Sequence, residues 1–431
     1  MRIGFFALGC KVNQYEIEAL KEQAAAAGHQ VTSAEELADA YVINTCTVTN
    51  LADRKSRQVI RRMKRQNPNA IIAVTGCYVQ MHPEEAGAIE GVDLVAGTNE
   101  KRQILPLLEQ AKEEKQIRVR PYEALSEYVS DGIIAAMESR TRAFVKIQEG
   151  CNRFCSYCII PYARGQVRSR PMDEILQEIS GLVAGGFREV VLTGINTALY
   201  GTDLGMGGIR PLIQAINQLP GDFRIRLSSL EPTVVDQAYV ESLLGYEKLC
   251  HHLHLSAQSG SNRILTAMHR WYDREDYLSI VKMLRDFDPS YGITTDLIVG
   301  FPGETEGDFV DSLDLVRQAG FLKVHGFRYS RRKGTPADEM DGQVSGLEKA
   351  DRIHRLEEVA GQMAQDFLAG CKGQTAQVLV EEKGPEGLYI GHAGNYITVS
   401  FEGREEMIGT FQEVTLLEPH LEGMKGKVND G

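Results

Sequence analysis

Apolar runs and helical stretches alternate along the first hundred residues of the chain. Arg2–Leu8, Ala40–Thr45, Ala70–Thr75 and Val92–Ala96 read as strands, and helical periodicity marks Asn13–Ala27, Leu51–Gln66 and Pro83–Glu90 between them. Such alternation predicts a Rossmann-like, doubly wound parallel sheet. A charged helix, Glu100–Gln116, follows, and residues 117–142 lack a clear period and read as a linker. A second alternation begins at Ala143, with strands Ala143–Ile147, Arg188–Thr193, Arg224–Ser228, His252–Ser256, Ile293–Val299 and Lys323–Tyr329. The helices expected between them are Met172–Ala184, Ile209–Gln218, Val234–Leu244, Asp273–Phe287 and Glu306–Ala319. Six strand–helix units suit an open or partial (β/α)6 barrel. The amphipathic helix Leu347–Leu368 leads to short strands at Ala376–Glu382, Leu388–Gly391, Tyr396–Phe401, Glu406–Thr410 and Glu413–Leu417, a small β-barrel. The expected class is therefore α/β, divided as 1–116, linker 117–142, 143–369 and 370–431.

Composition narrows the function. A chain of 431 residues, 43% hydrophobic and 25% charged, has room for about three domains with real cores. No segment approaches the ~18 apolar residues of a membrane span, and the N-terminus lacks a signal-peptide pattern, so a cytoplasmic protein is expected. With 47 basic and 59 acidic residues the net charge is −12, so any contact with nucleic acid must come from local basic patches. Eight cysteines are too few for a disulfide scaffold of this size and direct attention to metal or catalysis.

Cys151, Cys155 and Cys158 form C-x3-C-x2-C in "GCNRFCSYC", directly after the first barrel strand. Three thiolates without a fourth ligand nearby suggest a [4Fe–4S] cluster with one iron open; a structural zinc site or inert thiols are the alternatives. Cys10, Cys46 and Cys77 each follow a predicted strand of the first sheet, in "FFALGC", "VINTC" and "AVTGC". The carboxyl ends of parallel strands open onto one edge, so these thiols can converge on a second such cluster, the alternative being thiols that merely fill core space.

The C-x3-C-x2-C loop resembles the signature of radical S-adenosylmethionine enzymes. Together with "LGCKVNQYE", "NTCTVTNLAD", "TGCYVQ", "LHLSAQSGSNRIL", "MHRWY" and "TDLIVGFPGETEGDF", it is similar to the methylthiotransferases across nearly the whole chain. This resemblance implies an N-terminal three-Cys domain, a radical SAM core and a C-terminal TRAM domain. It also implies two [4Fe–4S] clusters and S-adenosyl-L-methionine, whose reductive cleavage at the Cys151/Cys155/Cys158 cluster yields a deoxyadenosyl radical. Tyr157 is then expected beside the adenine, with Asn196, Glu231 and Gln258 as polar contacts to the cofactor; Asn196 can equally cap the following turn, and Tyr157 can simply pack. "GFPGE" (Gly300–Glu304) supplies a turn that lets backbone approach the adenine. No catalytic side chain beyond the cluster ligands is indicated. "GCKVNQYE" and "NTCTVT" most resemble the group that methylthiolates N6-threonylcarbamoyladenosine at tRNA position 37. The rival readings are methylthiolation of isopentenyladenosine in tRNA or of a ribosomal-protein aspartate, and a non-catalytic RNA-binding iron–sulfur sensor. Implied partners are tRNA, a flavodoxin- or ferredoxin-like electron donor and a sulfur source, with no membrane.

Asp53–Gln66 carries seven basic residues against one acid. Arg54, Arg57, Arg61 and Arg65 share a helical face, with Lys55 and Arg62 beside it, a candidate phosphate-binding stripe against the alternative of a solvated helix. "RGQVRSR" (Arg164–Arg170) and "RYSRRK" (Arg328–Lys333) are expected to extend positive charge at the barrel mouth. From Cys371 onward five basic and ten acidic residues give −5, so the TRAM domain is not basic overall. Tyr389, Tyr396 and Phe401 can stack on bases there, though a place in the barrel core suits most of them better. Cys250 and Cys371 lack partners at metal spacing and read as packed thiols, and His252 and His254 share one strand face.

Overall fold

The computed structural model describes residues 1–135, 137, 141–243 and 245–429. Residues 136 and 138–140 of the expected linker, the last residue of the expected helix Val234–Leu244 and residues 430–431 lie outside the described residues.

The first unit is a six-stranded sheet of β1 (Arg2–Ala7), β2 (Gln30–Ser33), β3 (Ala40–Thr45), β4 (Ile71–Gly76), β5 (Leu94–Ala96) and β6 (Gln116–Arg118). All neighbours are parallel, in the order β2-β1-β3-β4-β5-β6. Every residue of β3 and β4 is buried because helices cover both faces. The strand period of two sends Val42 to the core with Ile17 and Leu20, and Ile43 to the core with Ile60 and Met63. The strand order reverses between β1 and β3, which opens a crevice at their carboxyl ends. Helix α1 (Lys11–Ala26) follows β1, α2 (Asn50–Gln66) follows β3, and α3 (Cys77–Met81) follows β4. The structure adds two strands to the expected four. β2 is a partly exposed edge of mixed polarity, and β6 takes the last residue of the expected helix Glu100–Gln116, whose regular α-helical part is only Ile104–Glu113. The sheet thus runs across the expected boundary at residue 116.

Six parallel barrel strands follow: β7 (Arg142–Glu149), β9 (Glu189–Gly194), β10 with β11 (Arg224–Leu227, Ser229–Leu230), β12 (His252–Leu255), β13 (Gly292–Val299) and β14 (Lys323–Arg328). A short antiparallel β8 (Arg168–Ser169) sits on the outer edge of β7, so the barrel does not close on itself. Residues 117–135 are a packed strap rather than a loose linker. Leu125 and Ile134 are buried, Gln23 donates to the Asp131 carbonyl at 2.7 Å, and Lys146 pairs with the Asp131 carboxylate.

A 25-residue helix, Gly346–Gly370, capped by Ser345 and Glu348, leads to a closed barrel. Its strands are β15 (Thr375–Lys383), β16 (Tyr389–Ala393), β17 (Thr398–Phe401), β18 (Phe411–His420) and β19 (Gly423–Val428), ordered β15-β16-β17-β19-β18. The expected strand Glu406–Thr410 is instead a 3-10 turn, Glu405–Met407, followed by Gly409 at φ +80°, and β19 closes the barrel in its place. This unit docks on the amino ends of the large barrel's strands. Arg224 donates to the His392 carbonyl at 2.8 Å, and His252 stacks on Tyr396 at 4.5 Å. The functional edge of a parallel barrel is the opposite one. Tyr389 and Phe401 are buried in the small core, and Tyr396 packs between His252, His392 and Arg226, so none of the three presents a free stacking face. Cys250 and Cys371 are buried, Cys371 in the small barrel's core.

Candidate functional site

Cys10, Cys46 and Cys77 sit at the carboxyl ends of β1, β3 and β4, the strands flanking the crevice. Gly9, at φ +93°, brings the Cys10 loop so close to its neighbour that a Cβ there would lie 2.7 Å from the Cys46 Sγ. Ser56 of α2 brackets Cys46: its Oγ accepts from the Cys46 N–H at 3.3 Å and donates to its carbonyl at 3.1 Å. Asn13 of α1 ties the loops together by donating to the Leu8 and Thr45 carbonyls at 2.7 and 3.0 Å. Cys46 and Cys77 are buried whereas Cys10 is exposed, so the triad opens to the outside at one corner.

The second triad lies at the other unit's functional edge. Cys151, Cys155 and Cys158 line a cavity of about 250 Å³ at the carboxyl ends of the barrel strands, and Tyr157, Asn196, Glu231 and Gln258 line the same cavity. The Asn196 side chain does not cap the turn that follows it; it donates to Glu231 Oε2 at 3.1 Å and faces the Cys151 Sγ at 3.9 Å. Arg153 pairs with that Glu231 oxygen at 2.6 Å. Gln258 adopts φ +64°, its N–H donating to the Asp296 carbonyl and its carbonyl accepting from Ile298 N–H. Tyr157 packs against the cluster formed by Ile264, Met268, Phe301 and Tyr329. The "GFPGE" turn is outside the cavity lining; Gly300 N–H donates to Glu304, which Arg352 holds at 2.8 Å.

One buried arginine donates to a thiol of each triad. Arg164 Nε reaches Cys77 Sγ at 3.1 Å, and Arg270 reaches Cys155 Sγ at 3.2 Å. Arg164 ends the short helix Ile160–Arg164 that starts two residues after Cys158, so one turn of chain joins the two thiol sites. Its guanidinium also meets Glu16 at 2.5 Å, Glu149 at 2.7 Å and the Asn13 side-chain oxygen at 2.6 Å, all buried. Burial alone would lift the Glu16 and Glu149 carboxyls, but Arg164, Lys101 and Lys146 outweigh it and hold both well below the usual carboxylate range. Burial pushes the Cys77 and Cys158 thiols up to about 12, so an electropositive centre must displace their protons before they ligate.

The basic helix behaves differently along its length. Arg54, Lys55, Arg61 and Arg65 are exposed. Arg57 is half-buried, paired with Glu85 at 3.2 Å and lying over the Tyr78 ring, while Arg62 faces Glu35 at 3.5 Å. The amino end of α2 docks on the segment after β14: Asn50 N–H donates to Ser330 and Arg332 pairs with the buried Asp53 at 2.5 Å. Exposed Arg328 and Lys333 therefore belong to the same surface as α2. "RGQVRSR" does not. Arg164, Arg168 and Arg170 are fully buried, Arg168 donating to the Leu125 carbonyl and Arg170 pairing with Glu178 at 2.9 Å, so their charge is spent between the units rather than at the mouth. His252 and His254 share Thr294 as hydrogen-bond partner in the barrel interior.

Residues 2–97 match the model of the uncharacterized protein family UPF0004, residues 145–316 that of the radical SAM superfamily and residues 370–421 that of the TRAM domain. Over 98% of its length the chain is 41% identical to the threonylcarbamoyladenosine tRNA methylthiotransferase MtaB of Bacillus subtilis (strain 168), covering 95% of that protein. The chain belongs to the methylthiotransferase family. A tRNA-2-methylthio-N(6)-dimethylallyladenosine synthase of Carboxydothermus hydrogenoformans is 37% identical, with 96% of this chain and 97% of that one aligned. In fold the methylthiotransferase is similar to the radical S-adenosylmethionine methyltransferase TsrM from Kitasatospora setae, with a TM-score of 0.60 at 14% identity over 78% of this chain and 76% of that one.

Members of this family use S-adenosylmethionine and iron–sulfur chemistry, and the donor sets fit. Among the described residues no three His, Cys, Asp or Glu side chains close around a single metal ion, and each triad presents three soft thiols with no fourth ligand, the donor set of an iron–sulfur cluster. In the cavity, Glu231 Oε1 is buried without a hydrogen-bond partner, Arg270 standing 3.9 Å away; an ammonium or ribose hydroxyl would satisfy it. Asn13, Glu16, Arg153 and Arg270 carry no reading in the sequence, and Arg164 reads there only as positive charge at the barrel mouth. Each lies inside or beside a recognisable motif, "KVNQYE", "CNRFC", "YARG" or "MHRWY", which is the signal that could have found them.

Proposed function

We propose that this methylthiotransferase converts N6-threonylcarbamoyladenosine at tRNA position 37 to its 2-methylthio derivative, in the cytoplasm, drawing electrons from a flavodoxin- or ferredoxin-like donor and sulfur from a separate source. The observation that carries this reading is the link between the thiol sites: Arg164, launched from the helix after Cys158, donates to Cys77. A radical-generating site and a second cluster site linked through one side chain suit a reaction that removes a hydrogen and installs sulfur at the same carbon. The subgroup is supported by the threonylcarbamoyl-named relatives at 37–41% identity, against 35–37% for the dimethylallyl-named ones.

Cys151, Cys155 and Cys158 hold one [4Fe–4S] cluster, and Cys10, Cys46 and Cys77 hold the other. Bound together, clusters and S-adenosylmethionine supply the carbon radical, sulfur and methyl group that no ionisable side chain can provide at a non-acidic C2–H. The residues of the chain bind and orient. Glu231 and Asn196 receive the polar end of the cofactor, Gln258 offers a further polar contact, and Tyr157 walls the adenine. Arg54, Lys55, Arg61 and Arg65 take phosphates of the tRNA, and Arg57 and Arg62 stand within the same stripe, already engaged by Glu85 and Glu35. The buried Arg164–Glu16–Glu149 group fixes the spacing of the sites.

Cys151→Ala is expected to abolish deoxyadenosine formation, whereas Cys46→Ala is expected to leave cofactor cleavage and stop thiolation. Deoxyadenosine released by each purified variant after reduction with S-adenosylmethionine, and mass spectrometry of tRNA nucleosides from a deletion strain carrying it, check this. Retention of the 2-methylthio nucleoside with Cys46→Ala, or loss of a different modified nucleoside in the deletion strain, would overturn the reading.

A further inference from the structure

Beside the thiol cavity a wider hollow of about 470 Å³ opens at the barrel mouth, lined by Asn152, Arg153, Phe154, His269, Arg270 and Trp271. Arg153 and Arg270 line both spaces, so the hollow adjoins the thiol cavity. Its apolar faces are unusual. Trp271, the chain's sole tryptophan, is 67% exposed and Phe154 is 41% exposed, although side chains this large normally bury most of their surface.

Both rings stand on firm supports. Phe154 at φ +47° and His269 at φ +56° hold left-handed backbone that costs about 1–2 kcal/mol per non-glycine residue. Tyr162 braces the Phe154 ring edge-on at 5.5 Å and is itself braced by Tyr122 at 5.5 Å. The residues flanking Trp271 are tied down, Arg270 to Cys155 and the Tyr272 hydroxyl to the Ser256 and Ala257 carbonyls at 2.8 Å. The loop is thus fixed, while the indole has no ring partner among the described residues.

We propose that Trp271 and Phe154 form a base-stacking subsite for an unpaired nucleobase next to the one being modified. The inference rests on the tRNA reading above. For an adenine C2 to reach the thiol cavity, the base must leave its stack with its neighbours, and these two rings are exposed apolar surfaces beside that cavity on which an unstacked neighbour can rest. Single-stranded RNA is held in this way, by splayed bases on aromatic faces. The hollow has ample room for a nucleobase, whereas a protein partner would need roughly 800 Å² of surface for stable docking. Asn152, whose side-chain oxygen accepts from Val167 N–H at 3.1 Å and whose amide N–H groups remain to donate, and His269 also line the hollow as hydrogen-bonding groups for a base edge.

The single tryptophan makes the test direct. The holoenzyme, kept anaerobic, is titrated with a dye-labelled RNA anticodon hairpin, read by dye anisotropy and by Trp271 emission, and then with a hairpin abasic at the two nucleotides flanking position 37. The intact hairpin is expected to bind and quench the emission, and the abasic hairpin to bind more weakly without quenching. Trp271→Ala is expected to weaken hairpin binding about tenfold or more, with Trp271→Phe, which keeps a π face, within a few-fold of wild type. Binding with unchanged emission, or equal affinity of Trp271→Ala and wild type, overturns the subsite and leaves the tRNA reading standing. Quenching by a reduced protein electron donor that competes with the hairpin also overturns it. No binding of either hairpin overturns both readings.

Discussion

Arg164 is the residue on which the two halves of the active region depend. Its guanidinium is fully buried and serves Cys77, Glu16, Glu149 and Asn13 at once. Removing one partner of a buried ionic group costs about 3–5 kcal/mol, and Lys101 and Lys146 still face Glu16, so Arg164→Met is expected to cost about 3 kcal/mol in denaturant unfolding of the loaded enzyme. The pH dependence has a definite sign. Glu16 and Glu149 titrate below the unfolded carboxylate value of ~4.3, so their contribution is complete above that pH and is withdrawn as acid reaches their depressed pKa values. Without Arg164 both carboxyls rise, and the acid-induced loss of stability should begin at higher pH than in wild type; coincident acid transitions would contradict this. Apart from Cys77, this group was not legible. The thiols announce themselves by spacing and strand-end position, whereas the positive run Arg164–Arg170 reads as surface until Glu16 and Glu178 arrive from elsewhere in the fold.

At the scale of elements, α2 joins two tasks. Its buried side clamps Cys46 through Ser56 and anchors Arg332 through Asp53, and its outer side exposes Arg54, Lys55, Arg61 and Arg65. Replacing Arg54, Arg61 and Arg65 by Glu should weaken tRNA binding strongly and flatten its dependence on salt by about one unit of slope per lost phosphate contact. Arg57→Ala should change affinity less, because Tyr78 and Glu85 already engage that side chain. Affinities measured across a salt series check both expectations. The hydrophobic periodicity placed nearly every barrel strand and helix within a few residues, because parallel strands buried on both faces are continuous apolar runs. It failed where burial is partial or glycine intervenes. β2 is an edge, and β19 hides behind Gly423 and Gly426; a Cβ at Gly423 would meet the Thr398 carbonyl oxygen at 2.2 Å, so the glycines that obscure the strand also let it pass close to β17.

For the whole molecule, the arrangement is directional. The first sheet and the large barrel turn their strand ends toward one another across Arg164, while the small acidic barrel docks on the far end through Arg224, Arg226 and His252. Family membership followed from motifs spread along the chain, but the closeness of the two thiol sites did not, since it depends on contacts such as those of Arg164 with Cys77 and Glu16, 87 and 148 residues away in sequence. The central claim is that each triad holds its own cluster. Mössbauer spectroscopy of the anaerobically prepared enzyme, alongside a variant with Cys10, Cys46 and Cys77 all replaced by Ala, tests it most directly. Two [4Fe–4S] clusters per chain in the wild type and one in the variant are expected; a single cluster in the wild type, or an unchanged spectrum and iron content in the variant, would contradict it.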